Sequence, residues 1–148
     1  MRVRATAPAD KLSFALLGAE ATALATGEET SGRWEAMELS LAPGARSPLH
    51  TIGEDKLFYV VAGTVTLTIG DSETELSTGG FAHVPAGTPH CYRNLSGAAA
   101  GLLVVTTGSG HVDFLRGMGA LTAAGRPDPD ELAAHTARHG VYLLPATN

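Results

Sequence analysis

A chain of 148 residues, 44% of them hydrophobic, can bury one sizeable core, and its length falls in the range of a single domain. The formal net charge is −5 and the ten Lys and Arg are scattered, so no basic stripe marks nucleic acid or an acidic membrane surface as a partner. One cysteine, Cys91, excludes an internal disulfide and an all-thiolate metal site, and agrees with a reducing, cytoplasmic setting.

The N-terminus carries a basic stretch, Met1-Arg2-Val3-Arg4, before an apolar run from Leu12 to Ala19. Asp10, Lys11 and Glu20 flank that run, and it is far shorter than the ~20 residues that span a bilayer, so it is not read as a signal or anchor. Next, Met37, Leu39 and Leu41 alternate with Glu38 and Ser40, the pattern of a strand with one buried face, ending at Pro43-Gly44. Leu57 to Ala62 and Leu102 to Val105 are apolar without alternation and predict central strands covered on both faces. Thr64 to Ile69 has a strict period of two, Gly70-Asp71-Ser72 supplies turn residues, and Glu73 to Leu76 completes a hairpin.

After Gly110 the period changes. Phe114, Leu115, Met118 and Leu121 recur at helical spacing and predict a short, broken helix. Asp128 as cap, Pro129 in the first helical position, Glu131 in a capping-box arrangement and Gly140 as stop predict a second helix over Pro129 to His139. With 18 Gly and 8 Pro punctuating short apolar stretches, the whole reads as all-β, a sandwich or barrel with one or two short C-terminal helices. No linker or repeat divides it. The expectation is one domain over residues 1–148, with a core barrel at about 31–107 and a helical extension at about 111–140, packed outside the barrel or against a partner subunit.

Two segments carry a resemblance. The first runs from Gly44 to His50, then Ile52, Lys56 and Gly63; the second is Gly79, Pro85, Gly87, His90 and Asn94. Their spacing resembles the two signature motifs of the cupin superfamily, and the order of segments from about Thr30 to Pro145 is similar to the small single-domain, quercetin-dioxygenase-like cupins. The resemblance implies a jelly-roll β-barrel with a site inside its mouth, and a homodimer. It also implies a divalent metal, such as Fe, Mn, Ni or Cu, held by three histidines and a glutamate.

This chain departs from that ligand set. His50 and His90 are retained, whereas the second histidine position holds Ile52 and the glutamate position holds Lys56. Isoleucine offers no lone pair, and a lysine ammonium repels the cation that a carboxylate would attract, so the expectation is a site without a metal. The alternative keeps a metal on His50 and His90 with Glu54 or His83 as substitute ligands. Glu54 also reads as a solvated loop acid and His83 as an outward strand residue.

Residues two apart on a strand share a face, so His50, Ile52, Lys56, Phe58 and Val60 can line the interior, as can His90, Tyr92 and Asn94. Lys56, His50 and His90 are the candidate catalytic groups. A lysine in an apolar barrel has a lowered pKa and can serve as general base, imine-forming amine or oxyanion partner; a salt bridge to Glu54 or Asp55 is the plain reading. Ile52, Phe58, Val60, Phe81 and Tyr92 are the candidate walls for a small, largely apolar molecule. Cys91 points away from the His90 face. His135 and His139, four apart on the last helix, are read as helix-dipole partners over metal ligands. Trp34 is placed at a barrel edge or interface.

These features lead to three functional expectations. The first is a metal-independent enzyme of secondary metabolism that catalyses a cyclisation, isomerisation or elimination by acid/base chemistry. The others are a metal-dependent dioxygenase with substitute ligands and a non-catalytic metabolite binder.

Overall fold

The structure, a computed structural model, describes residues 12–145. Met1 to Arg4, Asp10 and Lys11 lie outside the described residues. In chain order the strands are β1 (Leu12–Leu16), β2 (Ala19–Ala25), β3 (Trp34–Leu41), β4 (His50–Thr51), β5 (Lys56–Ala62), β6 (Thr64–Ile69), β7 (Ser72–Ser77), β8 (Phe81–Val84), β9 (His90–Arg93) and β10 (Ala100–Thr107). Helices α1 (His111–Thr122) and α2 (Pro129–Arg138) follow, and β11 (Tyr142–Leu143) closes the series.

All strand pairs are antiparallel. A six-stranded sheet in the order β1-β2-β3-β10-β5-β8 faces a five-stranded sheet in the order β11-β4-β9-β6-β7. This is the all-β jelly-roll barrel that the motifs imply, its core formed by the two inner faces. The predicted hairpin is β6–β7, in register from Thr64 opposite Ser77 to Ile69 opposite Ser72.

Two features differ from the sequence expectation. The apolar run Leu12 to Ala19 is β1 and the start of β2, joined through Leu17 and Gly18, both at positive φ. Such a two-residue turn matches the twist of a hairpin, and it extends the six-stranded sheet on the N-terminal side of residue 31. The central strands are not covered on both faces. In β10, Leu102, Val104 and Thr106 are buried whereas Leu103 and Val105 are half-buried, and Tyr59 and Val61 of β5 are exposed. The cause is placement of the helices, which pack at one end of the barrel and leave the outer face of this sheet uncovered.

The main core joins Met37, Leu39, Leu41, Phe58, Val60, Leu67, Leu102 and Val104. A smaller cluster of Leu16, Ile52, Phe114, Met118 and Val141 packs α1 against the barrel end. Helix α2 starts as predicted, the Asp128 carboxylate accepting the N–H groups of Asp130 and Glu131. Helix α1 has no local side-chain cap. Its Val112 N–H donates instead to Glu35 Oε1, at 3.0 Å and 77 residues away in the chain, while Glu35 Oε2 accepts from Gly27 N–H at 2.7 Å. A buried carboxylate on β3 therefore fixes where the helix begins, satisfying an N–H that a helix start leaves orphaned.

Candidate active site

His50 on β4 and His90 on β9 are direct cross-strand partners, with ring centroids 4.3 Å apart. The Pro85-Ala86-Gly87 turn brings them together: Thr88 N–H donates to Pro85 O, and Gly87 takes the positive φ that the third turn position requires. Each imidazole is held by its own strand. His50 Nδ1–H donates to Pro48 O at 2.7 Å and His90 Nδ1–H to Thr88 O at 2.8 Å. A carbonyl only accepts, so both neutral rings carry their proton on Nδ1 and present a lone pair at Nε2.

Lys56, the first residue of β5, is 4% exposed, and its Nζ donates to His90 Nε2 at 2.9 Å. Its Nζ also lies 5.5 Å from the centroid of the Phe58 ring. Among the described residues it has no ion-pair partner, so the plain reading of a salt bridge to Glu54 or Asp55 does not hold. Asp55 instead accepts the Ala86 N–H, and Glu54 packs beside Gly108. Burial, only partly offset by the Glu54 charge, brings the Lys56 pKa down to about 7. Burial and the Lys56 charge hold His50 at about 3 and His90 at about 4. At neutral pH both imidazoles are acceptors, and the lysine lies close to its midpoint.

Lys56 and His50 line a largely apolar cavity in the barrel mouth. Phe58, Tyr92, Leu39 and Val104 form its barrel wall, α1 contributes His111, Phe114, Leu115 and Met118, and Leu16, Leu17 and Leu143 close its rim. Open space within it is about 50 Å³, enough for a small group. Three polar groups at or beside this cavity have no hydrogen-bond partner among the described residues: the Tyr92 phenol, the His111 imidazole and the Thr106 hydroxyl. Thr106 is the cross-strand neighbour of Lys56 and of Glu35, so an acid, a hydroxyl and an amine form one row across β3, β10 and β5. Buried polar groups are ordinarily paired, and unpaired ones around a cavity mark where a ligand or water supplies the missing bond.

The structure revises part of the candidate set. Phe81 does not wall the cavity: it is 58% exposed on the outer face, cross-strand from Tyr59. Ile52 and Val60 are buried as expected, but they pack in the helix-side cluster and the main core. His83 is exposed on the same strand as Phe81 and points away from the site, and Glu54 borders a second, polar recess with Ser109, Arg138 and His139. The substitute metal set of His50, His90 and Glu54 or His83 is therefore not assembled. His135 is engaged elsewhere, its Nε2–H donating to Phe114 O, and His139 Nδ1–H donates to His135 O. Trp34 stands 45% exposed at the start of β3.

Sequence reasoning missed Glu35, Thr106 and His111. Glu35 and Thr106 carried a signal, since each continues the inward face of a recognised strand, beside Met37 and Val104 respectively. His111 carried none, because its position depends on how α1 docks. Its pKa is lowered by burial first, then by the Lys56, His50 and His90 charges.

A divalent metal does not fit the residues present. The ring nitrogen of His90 that would ligate it already accepts from Lys56, whose amine stands where a carboxylate ligand would be. Among the described residues no group of three or more His, Cys, Asp or Glu is placed to hold one.

Comparisons with known proteins agree with this architecture. Residues 37–106 match the family model described as Cupin domain. Over 74 residues the chain is 36% identical to quercetin 2,3-dioxygenase of Bacillus subtilis (strain 168), a match covering 49% of this chain and only 22% of that relative. Among solved structures, it resembles a sugar phosphate isomerase of the cupin superfamily from Silicibacter pomeroyi DSS-3, with TM-score 0.54 and 28% identity, over 61% of this chain and 59% of that one. It also resembles the polyketide cyclase RemF from Streptomyces resistomycificus, with TM-score 0.63 and 19% identity, over 72% and 80% of the two chains. With both signature motifs in place on a jelly-roll barrel, and His50 and His90 paired across its mouth, residues 37–106 of the chain match a cupin domain.

Proposed function

We propose that this cupin is a metal-independent enzyme acting on a small, largely apolar molecule that carries a polar group, and that Lys56 does the work of the missing cation. The observation that carries this reading is the hydrogen bond from Lys56, which lines the cavity, to His90. An ammonium in a low-dielectric site stabilises a developing oxyanion or enolate much as a metal would. Its pKa of about 7 also lets it release and recover a proton near neutrality, with His90 Nε2 as the neighbouring acceptor. His50 Nε2 offers a second acceptor, and the Tyr92 phenol, held up to about 12 by burial, stays a hydrogen-bond donor. This set suits a proton-transfer reaction of the cyclisation, isomerisation or elimination type. A cyclase and an isomerase among the structural relatives support the class, and secondary metabolism is the proposed context.

Screening small apolar ketones, phenols and esters by thermal shift, followed by mass spectrometry of the recovered compound, tests the reading. A binder that wild type converts and Lys56→Ala leaves unchanged supports it. A binder recovered intact from wild type contradicts it and favours the non-catalytic alternative. The homodimer expected of the family remains a proposal, for which the exposed Tyr59, Val61 and Phe81 on the outer sheet face are the surface; light scattering tests it.

A further inference from the structure

Lys56 lines the cavity and has the other parts of a carbonyl trap around it. Lys56 Nζ is buried against Phe58, free of any carboxylate partner among the described residues, and bonded to His90 Nε2. That nitrogen is a lone pair by construction, since His90 Nδ1–H is committed to Thr88 O. Thr106 is the cross-strand partner of Lys56 on β10, and its buried hydroxyl has no hydrogen-bond partner among the described residues. A lone proton-transfer site needs the first two features. It does not need an idle hydroxyl beside the amine, which an oxygen atom newly formed at the amine's carbon would satisfy.

We propose that Lys56 forms a covalent imine with the carbonyl carbon of an aldehyde or ketone, and that Thr106 binds the oxygen of the carbinolamine that precedes it. The neutral amine adds to the carbonyl carbon, forming a C–N bond while the C=O π pair moves to oxygen. One proton of the nitrogen passes through His90 Nε2 to the oxygen, giving the neutral carbinolamine. His90, protonated again from solvent, gives that proton to the departing oxygen; the nitrogen lone pair forms the C=N bond as the C–O bond breaks, and water leaves. The iminium returns its N–H proton to solvent, so one amine and one carbonyl yield one imine and one water, with no oxidant or reductant consumed. The inference rests on the preceding reading only in taking Lys56 as the reactive group.

The sequence makes the test clean, because Lys56 and Lys11 are its two lysines. The full chain is incubated at pH 7 with propanal and sodium cyanoborohydride, which reduces an imine to a stable secondary amine. Peptide mass spectrometry then compares the two lysines. The expected result is labelling of Lys56 about tenfold or more faster than Lys11, since an ordinary lysine ammonium is almost wholly protonated at that pH. Thr106→Val, which keeps the shape and removes the hydroxyl, should slow Lys56 several-fold and leave Lys11 unchanged. A Gly119→Ala variant, loosening α1 over the cavity, removes restricted entry as an explanation. Lys56 labelled no faster than Lys11 in both wild type and Gly119→Ala overturns the imine. If the same protein still converts a screened compound in a Lys56-dependent way, proton transfer stands and the covalent step alone falls.

Discussion

Lys56 Nζ and His90 Nε2 meet at 2.9 Å in the barrel mouth, the amine donating to the one ring nitrogen that His90 leaves free. The lysine, brought down to about 7, therefore holds the proton ahead of a histidine brought down to about 4. Reaction of Lys56 with an amine reagent such as acetic anhydride should rise with pH and level off above about 7. The profile of an ordinary lysine side chain continues to rise toward about 10. A Lys56 profile that rises in that way would contradict the desolvated amine.

The two histidines predict an acid-sensitive fold. Unfolded imidazoles protonate near 6.5, whereas His50 and His90 in the folded chain do so near 3 and 4. Between those values the unfolded chain binds more protons, so stability falls as pH drops from 6.5 toward 4. Urea midpoints at pH 7, 6, 5 and 4 measure this, and His50→Phe should flatten the slope. A midpoint constant from pH 7 to 4 would sink the assignment.

Lys56→Met separates a desolvated amine from a stabilising ion pair. The wild-type lysine is protonated near 10.5 when unfolded and near 7 when folded, so its penalty grows as pH falls from 10.5 to 7 and is complete below that. Every tenfold weakening of proton binding on folding costs about 1.4 kcal/mol, and the variant loses part of that gain, about 1–3 kcal/mol, by leaving His90 Nε2 unpaired. At pH 6 the variant should equal or exceed wild type in urea midpoint, and the advantage should shrink by pH 10. A clear loss of stability at pH 6 would mean that Lys56 is a structural cation.

Two of the contacts that hold α1 over the site have distinct signatures. Glu35→Ala leaves the buried N–H groups of Val112 and Gly27 without their acceptor and should cost about 2–4 kcal/mol by denaturant unfolding. At Gly119 an added Cβ would lie 2.3 Å from the Ala15 carbonyl oxygen, so Gly119→Ala pushes α1 off β1. That variant should lose about 1–3 kcal/mol and expose amides of α1 to faster hydrogen exchange. Unchanged exchange in α1 would show that the helix is held by other contacts.

The parts of this architecture legible in the sequence are those written in short-range period. The Thr64 to Ile69 alternation, the Met37–Leu39–Leu41 face and the Pro85-Ala86-Gly87 turn each specify local geometry, and the structure contains all three. The hairpin of β1 and β2 escaped because Ala19 to Ala25 is built of Ala, Thr, Glu and Leu, too weakly patterned to read as a strand. Phe81 was misplaced because aromatic character does not tell the inner from the outer face, and its strand starts immediately after a turn. His111 shows the deeper limit: its place at the cavity comes from a helix docked by Glu35 from 77 residues away, a relationship no local spacing encodes.

Metal content tests the central claim most directly. The chain should be purified after growth with Fe, Mn, Ni or Cu supplied in turn, then analysed for metal by mass spectrometry, beside an Ile52→His/Lys56→Glu double variant that rebuilds the family's ligand set. Wild type should hold well under about one tenth of an equivalent, because of the charge of Lys56 at the ligand position, and the double variant should retain close to one equivalent. A full equivalent in wild type, lost together with ligand conversion on treatment with chelator, would contradict a metal-independent site.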